Sequence, residues 1–350
     1  MPLAPEELPT LLDEHGLDAL IVTSPANVRY LSGFATPKDG RVFIGKEGSW
    51  LLTDARYTAQ AAEETLLPRE IRRDWLPWVA ERVGEGRLGF EADDLSVASY
   101  EDLRKLLATE PVPLRSLLRD RRMVKRPSEI DALREAARLT DAAFDHILTV
   151  LEPGMSEVDV ALELERLMRS QGAEAKSFDI VVASGYRSAM PHGVASAKKL
   201  ETGDLVTLDF GATVDGYHAD MTRAVAIGKI DAELRAMYEA VLEALEESLA
   251  ATGPGRAGAD LDGLARRALA RHGLEQQFAH SLGHGVGLDI HEGPQVSRNS
   301  ADTLRPGMAV TIEPGVYVPG KGGVRIEELV VITEDGHEQL SKSPRHLITV

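Results

Sequence analysis

The chain has 350 residues, 43% hydrophobic and 5% aromatic, and its 39 Lys+Arg against 56 Asp+Glu leave a formal charge of −17. That length suggests two domains, or one large one with ample core, and the apolar fraction excludes a disordered chain. There is no cysteine, which removes disulfides, thiolate metal sites, iron–sulfur clusters and cysteine nucleophiles, while the acidic balance argues against a nucleic-acid or anionic-membrane surface.

The leading MPLAPEELPTLLDEHG is acidic and broken by proline, unlike a signal peptide, and no apolar run approaches the ~18–20 residues that span a bilayer. A soluble, cytoplasmic protein is expected. Ala19–Val22 reads as a strand, followed by a helix over Ala26–Leu31 that starts at Ser24-Pro25 and ends at Gly33. Arg41–Ile44, Trp50–Leu52 and Leu88–Phe90 read as further strands, Asp54–Glu64 as a helix, and Ser96 as the cap of a helix over Val97–Leu107. Interleaved strands and helices indicate an α/β domain over residues 1–121. The basic stretch Arg119–Pro127 closes it and reads as a solvated linker. A second domain, 122–350, opens with a capping-box-like Ser128/Asp131 and apolar residues at helical spacing from Ile130 to Leu148. Leu151–Gly154 stops that helix, Ser156 opens the next, Gly172 closes it, and residues 231–251 and 259–271 form two more.

Between and after these helices lie strand pairs that carry carboxylates. Val206, Leu208 and Phe210 alternate with Thr207, Asp209 and Gly211, and Asp215-Gly216 is a two-residue hairpin signal. With those two residues as the loop, Asp209 faces Thr222, and Asp220 lies two residues along on the same face. The two aspartates become diagonal neighbours within reach of a shared ion. Without a cation, two like charges that close would force one to take up a proton. In a second pair of runs, Glu313 and Glu327 lie within apolar segments on either side of a Pro/Gly-rich loop, where an unpaired carboxylate is costly to bury. Glu328 must point to the face opposite Glu327, so only one of them can be a ligand. The repetition suggests two similar half-domains that each present two carboxylates to a common centre.

Histidine adds to this. His280 and His284 have the spacing of the HExxH zinc helix, but Gly283, Gly285, Gly287 and the missing glutamate argue for a glycine-rich loop that presents imidazoles. His291 follows, and His192 sits earlier between Pro191 and Gly193. Carboxylates and imidazole without thiolate suit Mn²⁺, Co²⁺ or Zn²⁺. Two such ions could activate a water against a carbonyl or a phosphoryl group, so spacing alone leaves peptide and phosphoester hydrolysis both open. No GxxxxGK[ST] phosphate loop is present, which disfavours nucleotide chemistry.

The runs LDFGATVDGYHADMTR, GHGVGLDIHEGP, TIEPGVY and VRIEE, with NVRYLSGF and RMVKRPSEI upstream, resemble the "pita-bread" dinuclear metallopeptidases, the Xaa-Pro dipeptidases (prolidases) and Xaa-Pro aminopeptidases. The resemblance covers the whole chain. It implies an α/β (α+β) protein with a small creatinase-like amino-terminal domain and a catalytic pita-bread domain of pseudo-twofold related antiparallel hairpins. It implies a homodimer with two divalent ions per chain, Mn²⁺ before Zn²⁺ or Co²⁺. Asp209, Asp220, His284, Glu313 and Glu327 would be the metal ligands, with Asp220 and Glu327 bridging. A metal-bridged hydroxide would attack the carbonyl of a Xaa-Pro dipeptide or short peptide. Glu313 would shuttle the proton, His291 would stabilise the oxyanion, and His192, His280 and Arg325 would bind substrate. A dipeptidase must also grip the substrate's free carboxylate, and Arg298 and Arg41 are the candidates. The expected activity is Xaa-Pro dipeptidase. Xaa-Pro aminopeptidase is the alternative, and a non-catalytic pita-bread peptide-binding module is the reading from another class.

Overall fold

In the computed structural model, which describes residues 4–350, the chain divides into two units, Met1–Arg119 and Asp120–Val350. The first is built on a six-stranded sheet in the order Arg69–Ile71, Gly48–Thr53, Arg41–Gly45, Ala19–Val22, Leu88–Glu91, Val112–Leu114. Ala19–Val22 is central and wholly buried, pairing antiparallel with Arg41–Gly45 and parallel with Leu88–Glu91, which is why it reads as a continuous apolar run. Ile21, Phe43, Trp78, Phe90 and Leu103 form its core. The expected Asp54–Glu64 helix starts with a 3₁₀ turn, Ala55–Tyr57, because the Asp54 side chain accepts from Arg56 N at 2.9 Å. The α-helix covers only Thr58–Glu64.

The second unit contains two helix pairs, each packed on a sheet that is antiparallel except where Ile348–Thr349 pairs parallel with Met221–Ala226. Helices Pro127–Val150 and Glu157–Ser170 bury Leu139, Phe144, Ile147, Val160, Leu164 and Met168 against Val206, Leu208 and Phe210 of the sheet Ile348–Thr349, Met221–Ala226, Leu205–Phe210, Val181–Ser184. Helices Ala232–Ala251 and Gly258–Arg271 bury Val241, Leu245, Leu261 and Leu269 with Val310, Ile312 and Val330 of the sheet Glu292–Val296, Gly283–Gly285, Ala309–Ile312, Glu328–Ile332, His337–Gln339. These are the two half-domains that the repeated acidic hairpins imply. No described helix is long and apolar enough to cross a membrane.

Two boundary expectations need correction. The first long helix begins at Pro127, with Glu129 Oε2 accepting from Arg126 N at 2.6 Å, so the capping pair is Arg126/Glu129 and not Ser128/Asp131. The basic stretch is not a solvated linker. Arg119–Met123 is a short helix, Lys125 is only 4% exposed, and Lys125 Nζ lies 2.8 Å from Glu292 while Arg122 bonds both Glu292 and Asp289. A buried carboxylate needs cations. Burial alone would raise Glu292, but Lys125 and Arg122 hold it below its ordinary value.

Candidate active site

The first acidic hairpin forms as its turn chemistry dictates. Asp215 and Gly216 adopt φ of 49° and 78°, the left-handed pair of a type I′ turn. Val214 pairs with Tyr217 and Asp209 with Thr222, the expected register. At Gly211 the hairpin divides between two sheets, since a Cβ there would stand 1.8 Å from Ala219 O. Asp220 sits at that division, just before the Met221–Ala226 strand.

In the second hairpin Ile312 pairs with Glu328, and Gly315 with Arg325. The register puts Glu313 and Glu327 opposite each other in the gap between those strand pairs. The two hairpins meet there. Glu327 N donates to Thr222 O at 3.1 Å, Thr222 Oγ1 donates to Glu327 Oε2 at 2.7 Å, and Arg325 Nε donates to Thr222 Oγ1 at 3.0 Å. Glu328 points the other way, as strand alternation requires, and pairs with Arg223 at 2.7 Å.

His284 comes from the strand Gly283–Gly285, where a loop was expected. Its glycines reflect crowding, since a Cβ on Gly283 would lie 1.9 Å from Thr311 O and one on Gly285 1.9 Å from Gly293 O. His284 Nδ1 faces Gly285 O at 3.1 Å and so carries the proton. Nε2 is left facing Glu313 Oε1 at 3.3 Å and Asp220 Oδ2 at 3.6 Å. Glu313 Oε1 also accepts from Thr311 Oγ1 at 3.1 Å.

The electrostatics follow from burying like charges together. Burial, then Glu327, Asp209 and Glu313, pushes Asp220 well above the usual carboxylate range. Asp209 is raised by burial against the pull of Arg325. Burial with Glu313 and Asp209 lifts Glu327 to about 8. Burial would lower His284, yet Glu313 and Glu327 outweigh it and raise the imidazole to about 9. Burial would raise Glu313, but its hydrogen bond and charge interaction with His284 bring it down to about 2.

This donor set fits a divalent cation. Ligand atoms of Asp220, His284 and Glu327 lie within 4.8 Å of one another. Asp209 Oδ1 and Glu327 Oε1 are buried with no hydrogen-bond partner among the described residues. Buried polar atoms are almost always satisfied, and a cation would supply what these two oxygens lack.

The remaining predicted residues divide into three groups. His192 and His291 are exposed; His291 stacks edge-on to His284 at 4.4 Å between ring centroids, and His192 is near enough for its charge to act on Asp209, His280 and His291. His280 and Arg325 are engaged within the protein. His280 Nδ1 donates to Ser281 O at 2.8 Å and Nε2 accepts from Tyr317 OH at 2.9 Å, while Arg325 bonds Tyr317 OH at 2.7 Å, Pro191 O at 3.1 Å and Asp209 Oδ2 at 2.5 Å. Both ring nitrogens of His280 are thus partnered within the protein. Arg298 is exposed and 3.7 Å from Glu275, and Arg41 belongs to the amino-terminal unit, its guanidinium 5.8 Å from the Trp75 ring centre. Sequence reasoning missed Thr222, Tyr317 and Thr311. Only Thr222 had a signal, its register opposite Asp209.

Two family descriptions match the chain, Creatinase/Prolidase N-terminal domain over residues 6–124 and Metallopeptidase family M24 over residues 131–334. A Xaa-Pro dipeptidase of Pyrococcus horikoshii is 38% identical over 338 residues, 96% of either chain. Among solved structures, a Xaa-Pro dipeptidase from Bacillus anthracis matches with a TM-score of 0.94 at 43% identity, covering 99% of this chain and 98% of that one. An X-Pro aminopeptidase from Thermotoga maritima matches with a TM-score of 0.92 at 36% identity, covering 99% of each. The chain belongs to metallopeptidase family M24 and carries the creatinase/prolidase N-terminal domain ahead of its catalytic domain.

Proposed function

We propose that this chain is a metal-dependent exopeptidase that hydrolyses the Xaa-Pro bond, acting as a Xaa-Pro dipeptidase. The observation that carries the reading is the junction of the two acidic hairpins at Thr222 and Glu327, where ligand atoms of Asp220, His284 and Glu327 lie within 4.8 Å of one another and Asp209 Oδ1 and Glu327 Oε1 are buried without hydrogen-bond partners among the described residues. Whole-length similarity to Xaa-Pro dipeptidases supports the substrate class. Asp209, Asp220, His284, Glu313 and Glu327 would hold two divalent ions, Mn²⁺ before Zn²⁺ or Co²⁺. Bound there, the ions supply Lewis acidity that polarises the scissile carbonyl and makes a water nucleophilic at neutral pH.

The chain's own residues do the rest. The Xaa-Pro bond is a tertiary amide, and like any amide nitrogen its proline nitrogen leaves only once protonated. Glu313, fixed by Thr311, takes the water's proton and returns it to that nitrogen. His291 donates to the carbonyl oxygen as charge develops on it. His192 orients the proline end, and Arg325 holds its loop through Pro191 O while it holds Asp209. Arg298, or Arg41 from a second copy in a homodimer, would grip the substrate's free carboxylate.

A second reading, Xaa-Pro aminopeptidase, is favoured by the Thermotoga maritima similarity. Comparing kcat/KM for Ala-Pro and Ala-Pro-Ala in Mn²⁺ decides between them. A carboxylate clamp worth about 1.5–3 kcal/mol predicts a dipeptide preference of roughly tenfold to a hundredfold. Faster cleavage of the tripeptide would establish the second reading.

A further inference from the structure

Behind the carboxylates lies Arg223, the largest fully buried side chain among the described residues, at 1% exposure. Its five guanidinium N–H groups all find acceptors. Nη1 donates to Thr222 O at 3.0 Å and also to Glu327 O, the backbone of both acidic hairpins. Nη2 donates to Glu328 Oε1 at 2.7 Å and to Ser343 O at 2.8 Å, and Nε donates to Pro344 O at 3.1 Å. The same short stretch, residues 341–345, is gripped from its other side by Asp141. That carboxylate accepts from Lys342 N at 2.8 Å and from Ser343 N at 2.9 Å, and Tyr238 OH donates to Arg345 O at 2.7 Å. The stretch forms a strap near the end of the chain, with its carbonyls bound to Arg223 and its amides to Asp141.

We propose that Arg223 is a positioning residue that couples this strap to the two carboxylate hairpins, so that strap order and divalent-metal affinity are linked. The proposal rests on the metal-binding reading above. A planar guanidinium fixes the relative positions of everything it binds, and lysine, with three donors on a flexible stem, cannot span five acceptors. The spacing of Thr222 O and Glu327 O sets how far Asp209 and Asp220 stand from Glu327. An ion that draws the carboxylates together pulls on Arg223 and tightens the strap. By linkage, loosening the strap weakens the ion's hold by the same factor.

The test uses the full chain, stripped of metal and then titrated with Mn²⁺ alone, reading Mn²⁺ affinity by calorimetry and amide hydrogen exchange at Lys342 and Ser343. Mn²⁺ is expected to slow exchange of those two amides about fivefold or more. Arg223→Lys should abolish that slowing and weaken Mn²⁺ binding about 10- to 100-fold. Asp141 hydrogen-bonds to neither hairpin, its charge acting on Glu328; Asp141→Asn should weaken Mn²⁺ binding about fivefold, and it carries the test if Arg223→Lys does not fold. Mn²⁺ binding without any change in strap exchange overturns the coupling, as does full Mn²⁺ affinity in Asp141→Asn. A chain that binds no Mn²⁺ overturns the metal reading, and the coupling falls with it.

Discussion

At the scale of residues, the site is a problem of like charges buried together. Asp209, Asp220 and Glu327 are buried beside one another, and Arg325, Thr222 and the His284 imidazole relieve them. Thr222 therefore does two things, orienting Glu327 Oε2 and receiving Arg325 Nε. Thr222→Val keeps the shape but removes the hydroxyl, and should weaken Mn²⁺ binding about 10- to 100-fold, measured by titration of the stripped protein. Glu313→Gln keeps a side chain of the same size but takes away the base. With Mn²⁺ in excess it should lower kcat on Ala-Pro by about 10²–10⁴-fold, whereas a near-normal rate would remove Glu313 from proton transfer. The carboxylates themselves were legible in sequence because charge inside an apolar strand demands a reason. Tyr317 and the bracing role of His280 were not, since their partners are set by a chain of contacts from residue 280 to residue 325.

At the scale of elements, strands and glycines place the ligands. The register of the first hairpin could be read directly, because Asp215-Gly216 admits one tight turn and a one-residue slip would turn Asp209 away from the site. The strand Gly283–Gly285 could not. Its glycines suggest a loop, yet they are there because neighbouring backbones leave no room for a Cβ. Gly283→Ala would set a methyl 1.9 Å from Thr311 O, so the strands must part. It should destabilise the unit by about 1–3 kcal/mol in urea unfolding and lower bound metal, because His284 is the next residue. Unchanged stability would mean that the sheet gives way there at little cost. The basic stretch Arg119–Pro127 misled for a related reason, as its cations answer Glu292, far along the chain.

At the scale of the whole molecule, metal occupancy and stability are tied through protons. In the metal-free protein Glu327 is raised from 4.5 to about 8 and His284 from 6.5 to about 9. A group raised on folding contributes stability that is present below its unfolded value and lost as pH rises through its folded value. Both losses act between pH 6.5 and 8, while Glu313, lowered to about 2, is ionised in both states there and adds nothing. Protein stripped with EDTA should thus unfold at lower urea concentration at pH 8 than at pH 6.5. Excess Mn²⁺ should reverse the trend, because metal binds the deprotonated ligands. A stripped protein that gains stability over that range would contradict this. If the two acidic hairpins form the metal centre of a Xaa-Pro dipeptidase, proline release from Ala-Pro must depend on metal. Followed in protein stripped of metal and again after Mn²⁺ is restored, release should be negligible at first and rapid once Mn²⁺ returns. Release that does not depend on metal, or none with Mn²⁺, Co²⁺ or Zn²⁺ supplied, would contradict it.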